Sequence, residues 1–258
     1  MAESIFNLTD KVVAITGGYG YLGKAICEGL VEFGAKVYVL GRSQEKFEAA
    51  FDKPGNIRFQ PCDVAVSESI REAFGEIINL EGQLDVLINN AFYSKGQHPE
   101  KITDEEWAFG IDGSLNSVYR CIREIIPHFK ARNHGKIINV SSMYGLVSPD
   151  FKVYDESPQF LNPPHYGASK AAVIQLTKYY ACYLGPYNIQ VNAVTPGPFP
   201  SKNVQQNEAF VNQLKAKNPL GRIGKPADLK GAFVLLSSGA SDFITGHNLV
   251  VDGGWTAW

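Results

Sequence analysis

The sequence predicts an α/β fold: a doubly wound parallel sheet of about seven strands with helices on both faces. Three observations carry this. Short β-branched runs alternate with longer stretches of helical periodicity along the whole chain, as in a βαβ series. Several of the short runs are almost continuously apolar, the pattern of parallel strands covered on both sides. A glycine-rich string follows the first run and opens the first helix.

The strands are expected at Val12–Thr16, Lys36–Leu40, Ile57–Gln60, Leu84–Ile88, Lys136–Val140, Ile189–Val194 and Asn248–Val251. Between the first two, Leu22, Ile26, Leu30 and Phe33 recur at helical spacing, and Gly34 supplies the stop. No repeat, low-complexity tract or linker divides residues 1–258, which read as a single domain. The irregular stretch at about 148–164 contains Pro149, Pro158, Pro163 and Pro164 and is long for an αβ connection.

Composition narrows the function. Twenty-four Lys and Arg stand against 26 Asp and Glu, a formal charge of −2. That balance argues against wholesale nucleic-acid binding and against a polybasic membrane patch. No run is long and apolar enough to span a bilayer, and the first residues carry neither a basic nor an apolar leader region. Cys27, Cys62, Cys121 and Cys182 lie far apart with no CxxC, which predicts free thiols in a reducing cytoplasm rather than disulfides or a metal site.

The string Thr16-Gly17-Gly18-Tyr19-Gly20-Tyr21-Leu22-Gly23 sits between strand and helix. There Gly17, Gly20 and Gly23 let the backbone approach a pyrophosphate, and the helix N-terminus at Tyr21 and Leu22 offers unpaired N–H groups. The bland alternative is a tight turn that binds nothing. At the end of the second strand the chain reads Val39-Leu40-Gly41-Arg42-Ser43. No carboxylate is present to hydrogen-bond a ribose 2′-hydroxyl, and the Arg42 guanidinium can pair with a 2′-phosphate. Arg42 and Ser43 are therefore candidate cofactor contacts, with NADP(H) preferred and NAD(H) possible. The alternative for Arg42 is a solvated surface charge.

Tyr166 and Lys170 stand four residues apart, on one face if the segment is helical. A phenol titrating near 10 is a poor acid–base catalyst at neutral pH, and a fixed positive charge beside it favours the phenolate. Ser142 ends the Ile137–Ser142 run at the carboxyl edge of the sheet, where ligands of such folds bind. Each of these features alone is common: an amphipathic helix with a snorkelling lysine, or a serine cap after a strand.

Together they resemble the short-chain dehydrogenase/reductase family, in its single-domain branch, over essentially the whole chain. Further matches are Asp63-Val64, Asn89-Asn90-Ala91, Asn192-Ala193-Val194-Thr195-Pro196-Gly197, Arg222-Ile223-Gly224-Lys225-Pro226, Thr245-Gly246 and Val251-Asp252-Gly253-Gly254. The resemblance implies a Rossmann sheet with a nicotinamide dinucleotide. Tyr166 would be the general acid/base, Lys170 would lower its pKa and hold the nicotinamide ribose, and Ser142 would polarise the substrate oxygen. It also implies cofactor contacts at Asp63, Val64, Asn90, Ala91, Pro196, Gly197, Phe199 and Ser201.

Three departures stand out. Tyr21 occupies a position where the family's commonest loop has glycine, and the glycine comes one residue earlier, at Gly20. Ser114 falls where the family's active-site asparagine belongs, within the frame set by Trp107, Ile111 and Asp112. Its main-chain carbonyl could keep the role of holding a relay water, so Ser114 joins the candidate catalytic residues. Ser142 and Tyr166 are 24 positions apart, roughly twice the family's usual gap, and the surplus falls in 148–164. That stretch resembles the insertion in relatives attached to surface-sugar and flagellin-glycan pathways. As a lid it would offer Asp150, Lys152, Asp155, Glu156 and Gln159 for hydrogen bonds and Phe151, Tyr154 and Phe160 as stacking faces. The alternative is a surface excursion packed on its own protomer.

The expected function is an NADP(H)-dependent oxidoreductase acting on a secondary alcohol or carbonyl of a sugar, sugar acid or activated sugar. The alternatives are a 3-oxoacyl or general carbonyl reductase, a catalytically silent nucleotide-binding sensor or scaffold, and an epimerase, the last suggested by loop spacing alone. The partner is a small-molecule substrate. The resemblance also implies a homotetramer or homodimer, built on helices at about 104–130 and 165–184, with Tyr179, Tyr180 and Tyr183 as candidate interface residues.

Overall fold

The computed structural model describes residues 4–258. In chain order it comprises β1 (Val12–Thr16), α1 (Tyr21–Glu32), β2 (Lys36–Gly41), α2 (Gln44–Ala50), β3 (Ile57–Pro61), α3 (Ser67–Glu81), β4 (Val86–Asn89), α4 (Asp104–Ile111), α5 (Ser117–Arg132), β5 (Gly135–Val140), α6 (Pro164–Leu184), β6 (Ile189–Pro196), α7 (Glu208–Ala216), α8 (Lys230–Ser237) and β7 (Asn248–Val251). The seven strands form one sheet in the order β3-β2-β1-β4-β5-β6-β7, with every pair parallel.

β1 shows why both faces need cover. Val12 and Ala14 point into the core formed with α3, α5 and α6. Val13 and Ile15 point into the core formed with α1, α2 and α8. A strand alternates its side chains between faces, so an all-apolar strand demands a helix layer on each side. The expected doubly wound sheet is the observed one. The fourth strand starts two residues late because Leu84 is bound elsewhere: its N–H donates to His128 Nε2 at 3.2 Å and its carbonyl accepts from Arg132 Nη1 at 2.7 Å.

The helix expected at about 104–130 is interrupted. Residues Asp112–Asn116 wind as a π-helix between α4 and α5, and α5 runs to Arg132. Gly113 lies there under the Tyr93 carbonyl, so closely that a Cβ would collide with it. Tyr93 in turn donates to Asp112, which is paired with Arg120.

The 148–164 stretch is ordered as two short 3-10 turns, Phe151–Tyr154 and Pro158–Phe160. Val153 and Tyr154 are buried in a small third core with Met143, Tyr144, Phe210, Leu214 and Trp255. Tyr154 stacks on Phe210 at 5.8 Å between ring centroids, Phe160 lies 4.8 Å from the same ring, and the Tyr144 and Tyr154 hydroxyls meet at 2.8 Å. Asp150 is paired with Lys217. Two of the three proposed stacking faces and one of the polar groups are thus already used inside the protomer.

Of the three interface tyrosines, Tyr180 packs inward and is 8% exposed, whereas Tyr179 and Tyr183 are 62% and 50% exposed. Helical geometry dictates the split: position 180 belongs to the buried face of α6 with Val173, Thr177 and Leu184.

Candidate active site

The strand order reverses between β1 and β4, and a crevice opens at their carboxyl ends, as the geometry of open α/β sheets requires. It is a cavity of about 560 Å³. The glycine loop forms its floor. Gly17 adopts φ +64°, and a Cβ there would press on Ala91; one on Gly23 would come within 2.6 Å of the Gly17 carbonyl. The loop therefore has no room for side chains between it and helix α1, and its backbone faces the cavity. Thr16 ties it to β4, its Oγ1 accepting from the N–H groups of Asn90 and Ala91, each at 3.0 Å. Asn90 Nδ2 returns bonds to the carbonyls of Thr16 and Gly17 at 3.0 and 3.1 Å.

At one end of the cavity stand Leu40, Gly41, Arg42, Lys46, Cys62, Asp63 and Val64. The Tyr19 ring lies over Gly41 so tightly that any side chain at 41 would collide with it. Arg42 is exposed and lines the wall, and Lys46, in the first turn of α2, lines it too. Ser43 does not: its hydroxyl caps α2 by accepting from Lys46 N at 3.2 Å. Asp63 is held by its own turn, with Oδ1 accepting from Ala65 N at 3.0 Å.

At the other end lie Ser142, Tyr166 and Lys170, with Phe92, Tyr93 and Phe199 around them. Two bolts fix this end. Ser141 Oγ donates to the Lys170 carbonyl at 2.8 Å, joining β5 to α6. Gly145 lies so close to α6 that a Cβ would come 2.7 Å from the Lys170 carbonyl carbon. A chain of buried amides supports them: Asn89 Nδ2 donates to Asn139 Oδ1 at 2.8 Å, and Asn139 Nδ2 to Thr177 Oγ1 at 2.9 Å.

Ser142 Oγ accepts from Tyr144 N at 3.2 Å, and its own O–H faces the Tyr166 phenol. Burial pushes the Tyr166 phenol above its ordinary value, and the Ser142 hydroxyl pulls it back in part. Lys170 is 3% exposed, and burial lowers its ammonium to about 8. Its Nζ donates to the Val140 carbonyl at 2.8 Å and lies 5.6 Å from the centroid of the Tyr166 ring. The lysine thus sits over the Tyr166 ring, and burial dominates the phenol's titration.

All the other expected cofactor contacts line this one cavity: Gly17, Gly20, Tyr21, Leu22, Gly23, Asn90, Ala91, Pro196, Gly197, Phe199 and Ser201 beside those named above. Ser114 does not reach the wall. It is fully buried in the π-helical turn, and its hydroxyl has no hydrogen-bond partner. Asn116 bonds back to Asp112 at 3.1 Å. The 148–164 stretch contributes no residue to the cavity; it borders a separate one of about 380 Å³ on the far side of Tyr144 and Gly145.

Sequence reasoning missed Tyr19, Lys46 and Phe92. Lys46 had a readable signal, a second cation four residues after Arg42. Phe92 had one as well, an aromatic directly after Asn89-Asn90-Ala91. It is 57% exposed, and its ring centroid lies 5.6 Å from that of Tyr166. The residues present fit a dinucleotide: a side-chain-free cradle at a helix N-terminus, cations at one end and a phenol, hydroxyl and ammonium at the other.

The family model described as "Enoyl-(Acyl carrier protein) reductase" matches residues 21–256. The 5-keto-D-gluconate 5-reductase of Escherichia coli strain K12 is 34% identical over 260 residues, which covers 98% of each chain. Among solved structures, a gluconate 5-dehydrogenase from Burkholderia cenocepacia J2315 in complex with NADP and tartrate is 31% identical, with TM-score 0.87 over 98% of both chains. A short-chain dehydrogenase from Leptospira borgpetersenii with bound NAD+ is 32% identical, with TM-score 0.88 over 99% of this chain and 97% of that one.

Proposed function

This chain belongs to the short-chain dehydrogenase/reductase family and is an oxidoreductase that uses a nicotinamide cofactor; from that premise we propose that it is NADP(H)-dependent and interconverts a secondary alcohol and a carbonyl on a sugar or sugar acid. The observation that carries the reading is the single cavity that joins Arg42 and Lys46 at one end to Ser142, Tyr166 and Lys170 at the other.

When bound there, the cofactor supplies or accepts the hydride. The chain's own residues manage the proton. Tyr166 gives its phenolic proton to the substrate oxygen in reduction and takes it back in oxidation. Ser142, whose Oγ accepts from Tyr144 N, turns its O–H from the Tyr166 phenol to the same oxygen and holds the reacting carbon in place. Lys170, rigidly bonded to Val140, keeps a positive charge against the phenol ring and offers its remaining protons to ribose hydroxyls.

The sugar reading draws on the gluconate-active relatives and on the mixture of hydroxyls and aromatic faces at the substrate end. The 148–164 stretch lends it no support, because none of its residues line the cavity and Tyr154, Phe160 and Asp150 are engaged inside the protomer. The rival substrate is an acyl thioester, the class named by the family description. An absorbance assay with D-gluconate and NADP+, 5-keto-D-gluconate and NADPH, and a 3-oxoacyl thioester and NADPH separates them. Turnover should favour the sugar acids; a thioester faster than every carbohydrate rejects the substrate reading and leaves the cofactor reading intact.

Assembly is part of the proposal. Tyr119, Tyr179, Tyr183 and Tyr187 are 41%, 62%, 50% and 37% exposed, and they lie on α5, α6 and the turn that follows α6. Lys130 lies over two of them, 4.3 Å from the Tyr183 centroid and 4.2 Å from that of Tyr187. Tyrosine-rich patches of this kind suit subunit interfaces. Light scattering at micromolar concentration should give a dimer or tetramer, and a mass near 28.3 kDa rejects this. All four cysteines are free, which supports a reducing, cytoplasmic setting.

A further inference from the structure

We propose that Tyr21 binds the cofactor's diphosphate through its side chain, as one half of a clasp whose other half is Gln205. This deepens the nicotinamide-cofactor reading and rests on it. Tyr21 is the first residue of α1, at the mouth of the glycine loop, and it lines the cavity. Gln205 belongs to the segment between β6 and α7, which contributes Phe199 and Ser201 to the same cavity. Gln205 Nε2 donates to the Tyr21 hydroxyl at 2.9 Å. The two residues are 184 positions apart in sequence.

The direction of this bond decides what Tyr21 can do. Gln205 Nε2 also donates to the Pro200 carbonyl at 2.8 Å. A carbonyl only accepts, so the amide must present its nitrogen there and cannot be turned over. Both amide protons are then committed, one to Pro200 and one to Tyr21. The Tyr21 oxygen is the acceptor, and its own proton is left to point elsewhere. The backbone around it is a helix N-terminus, rich in donors and poor in acceptors. The matching acceptor is an anionic oxygen entering the cavity at the glycine loop, where a dinucleotide carries its diphosphate. Binding would engage the phenol proton, and through it Gln205 would hold the 198–207 segment against the bound cofactor. Glycine at position 21 could do neither.

The test uses the intact protein and titrates NADPH by its fluorescence, with dissociation followed by stopped flow. Tyr21→Phe should raise the NADPH dissociation constant about tenfold, the scale of a lost hydrogen bond to a charged group, mainly through faster release. Gln205→Glu should weaken NADPH at least as much, because a carboxylate at 205 takes the Tyr21 proton for itself and repels the diphosphate. Adenosine 2′-monophosphate, which carries neither phosphate of the bridge, should bind wild type and both variants alike; a general loosening of the site would weaken it too. NADPH binding by Tyr21→Phe within twofold of wild type overturns the clasp alone, as does equal weakening of the 2′-monophosphate. Wild-type protein that binds neither NADPH nor NADH overturns the cofactor reading and the clasp together.

Discussion

Replacing Tyr166 by phenylalanine is expected to lower kcat by at least two orders of magnitude, about 2.7 kcal/mol of barrier, while NADPH binds nearly as before. The ring is retained, so its contacts with Phe92 and Lys170 survive. Only the proton carrier is lost, and Ser142 cannot replace it at neutral pH. The pH profile gives a second reading of the same residue. Burial raises the Tyr166 phenol, so the free protein at neutral pH holds it protonated, ready to donate. The kcat/KM for carbonyl reduction should therefore be level through neutral pH and fall as alkaline pH removes the proton. For alcohol oxidation, which needs the phenolate, it should rise over the same range. Tyr166→Phe should flatten both limbs. A variant that keeps more than about a tenth of wild-type activity is incompatible with Tyr166 as the acid–base.

Coenzyme choice should respond almost as strongly to Arg42. A guanidinium paired with a 2′-phosphate contributes about 1.5–3 kcal/mol when sheltered, and solvent screening moves an exposed residue such as Arg42 to the lower end, near tenfold. Arg42→Ala should weaken NADPH by about that factor and leave NADH nearly unchanged. Adding Lys46→Ala should remove most of the remaining preference, and rising salt should mimic both substitutions. Titration showing that wild type binds NADH as tightly as NADPH rejects the assignment. The usual route to the opposite preference, a carboxylate at the end of β2, has a neighbour to move here: in Gly41→Asp the Tyr19 ring must swing aside. Gly41→Asp should therefore lower NADPH binding more than it gains NADH binding.

The fold was legible because its signals are local. The central parallel strands are apolar on both faces, and Gly17, Gly20 and Gly23 of the phosphate loop line the cavity. The catalytic residues were legible only as a set, since Ser142, Tyr166 and Lys170 are each unremarkable by themselves. What escaped depends on side-chain packing. That Tyr19 covers Gly41, that Ser43 spends its hydroxyl on a helix cap and that Ser114 is sealed inside a π-helical turn follow from contacts that no spacing rule encodes. The 148–164 stretch was the hardest. Its charge and aromatic content suit a lid and an internally packed excursion equally, and the deciding partner, Phe210, lies some fifty residues further on.

The Ser141 and Gly145 contacts with α6 have a consequence for how such chains can vary. They clamp the two ends of the 148–164 stretch: β5 and the turn after it are seated on α6 whatever lies between them. Closing a flexible connection twice as long costs only about 0.6 kcal/mol more. The distance from serine to tyrosine along the chain is therefore nearly free to drift, while their distance in space is not. The stretch behaves as a tolerated graft point. A foreign segment with a hydrophobic side to seat against Phe210 should be able to replace it without disturbing the reacting groups.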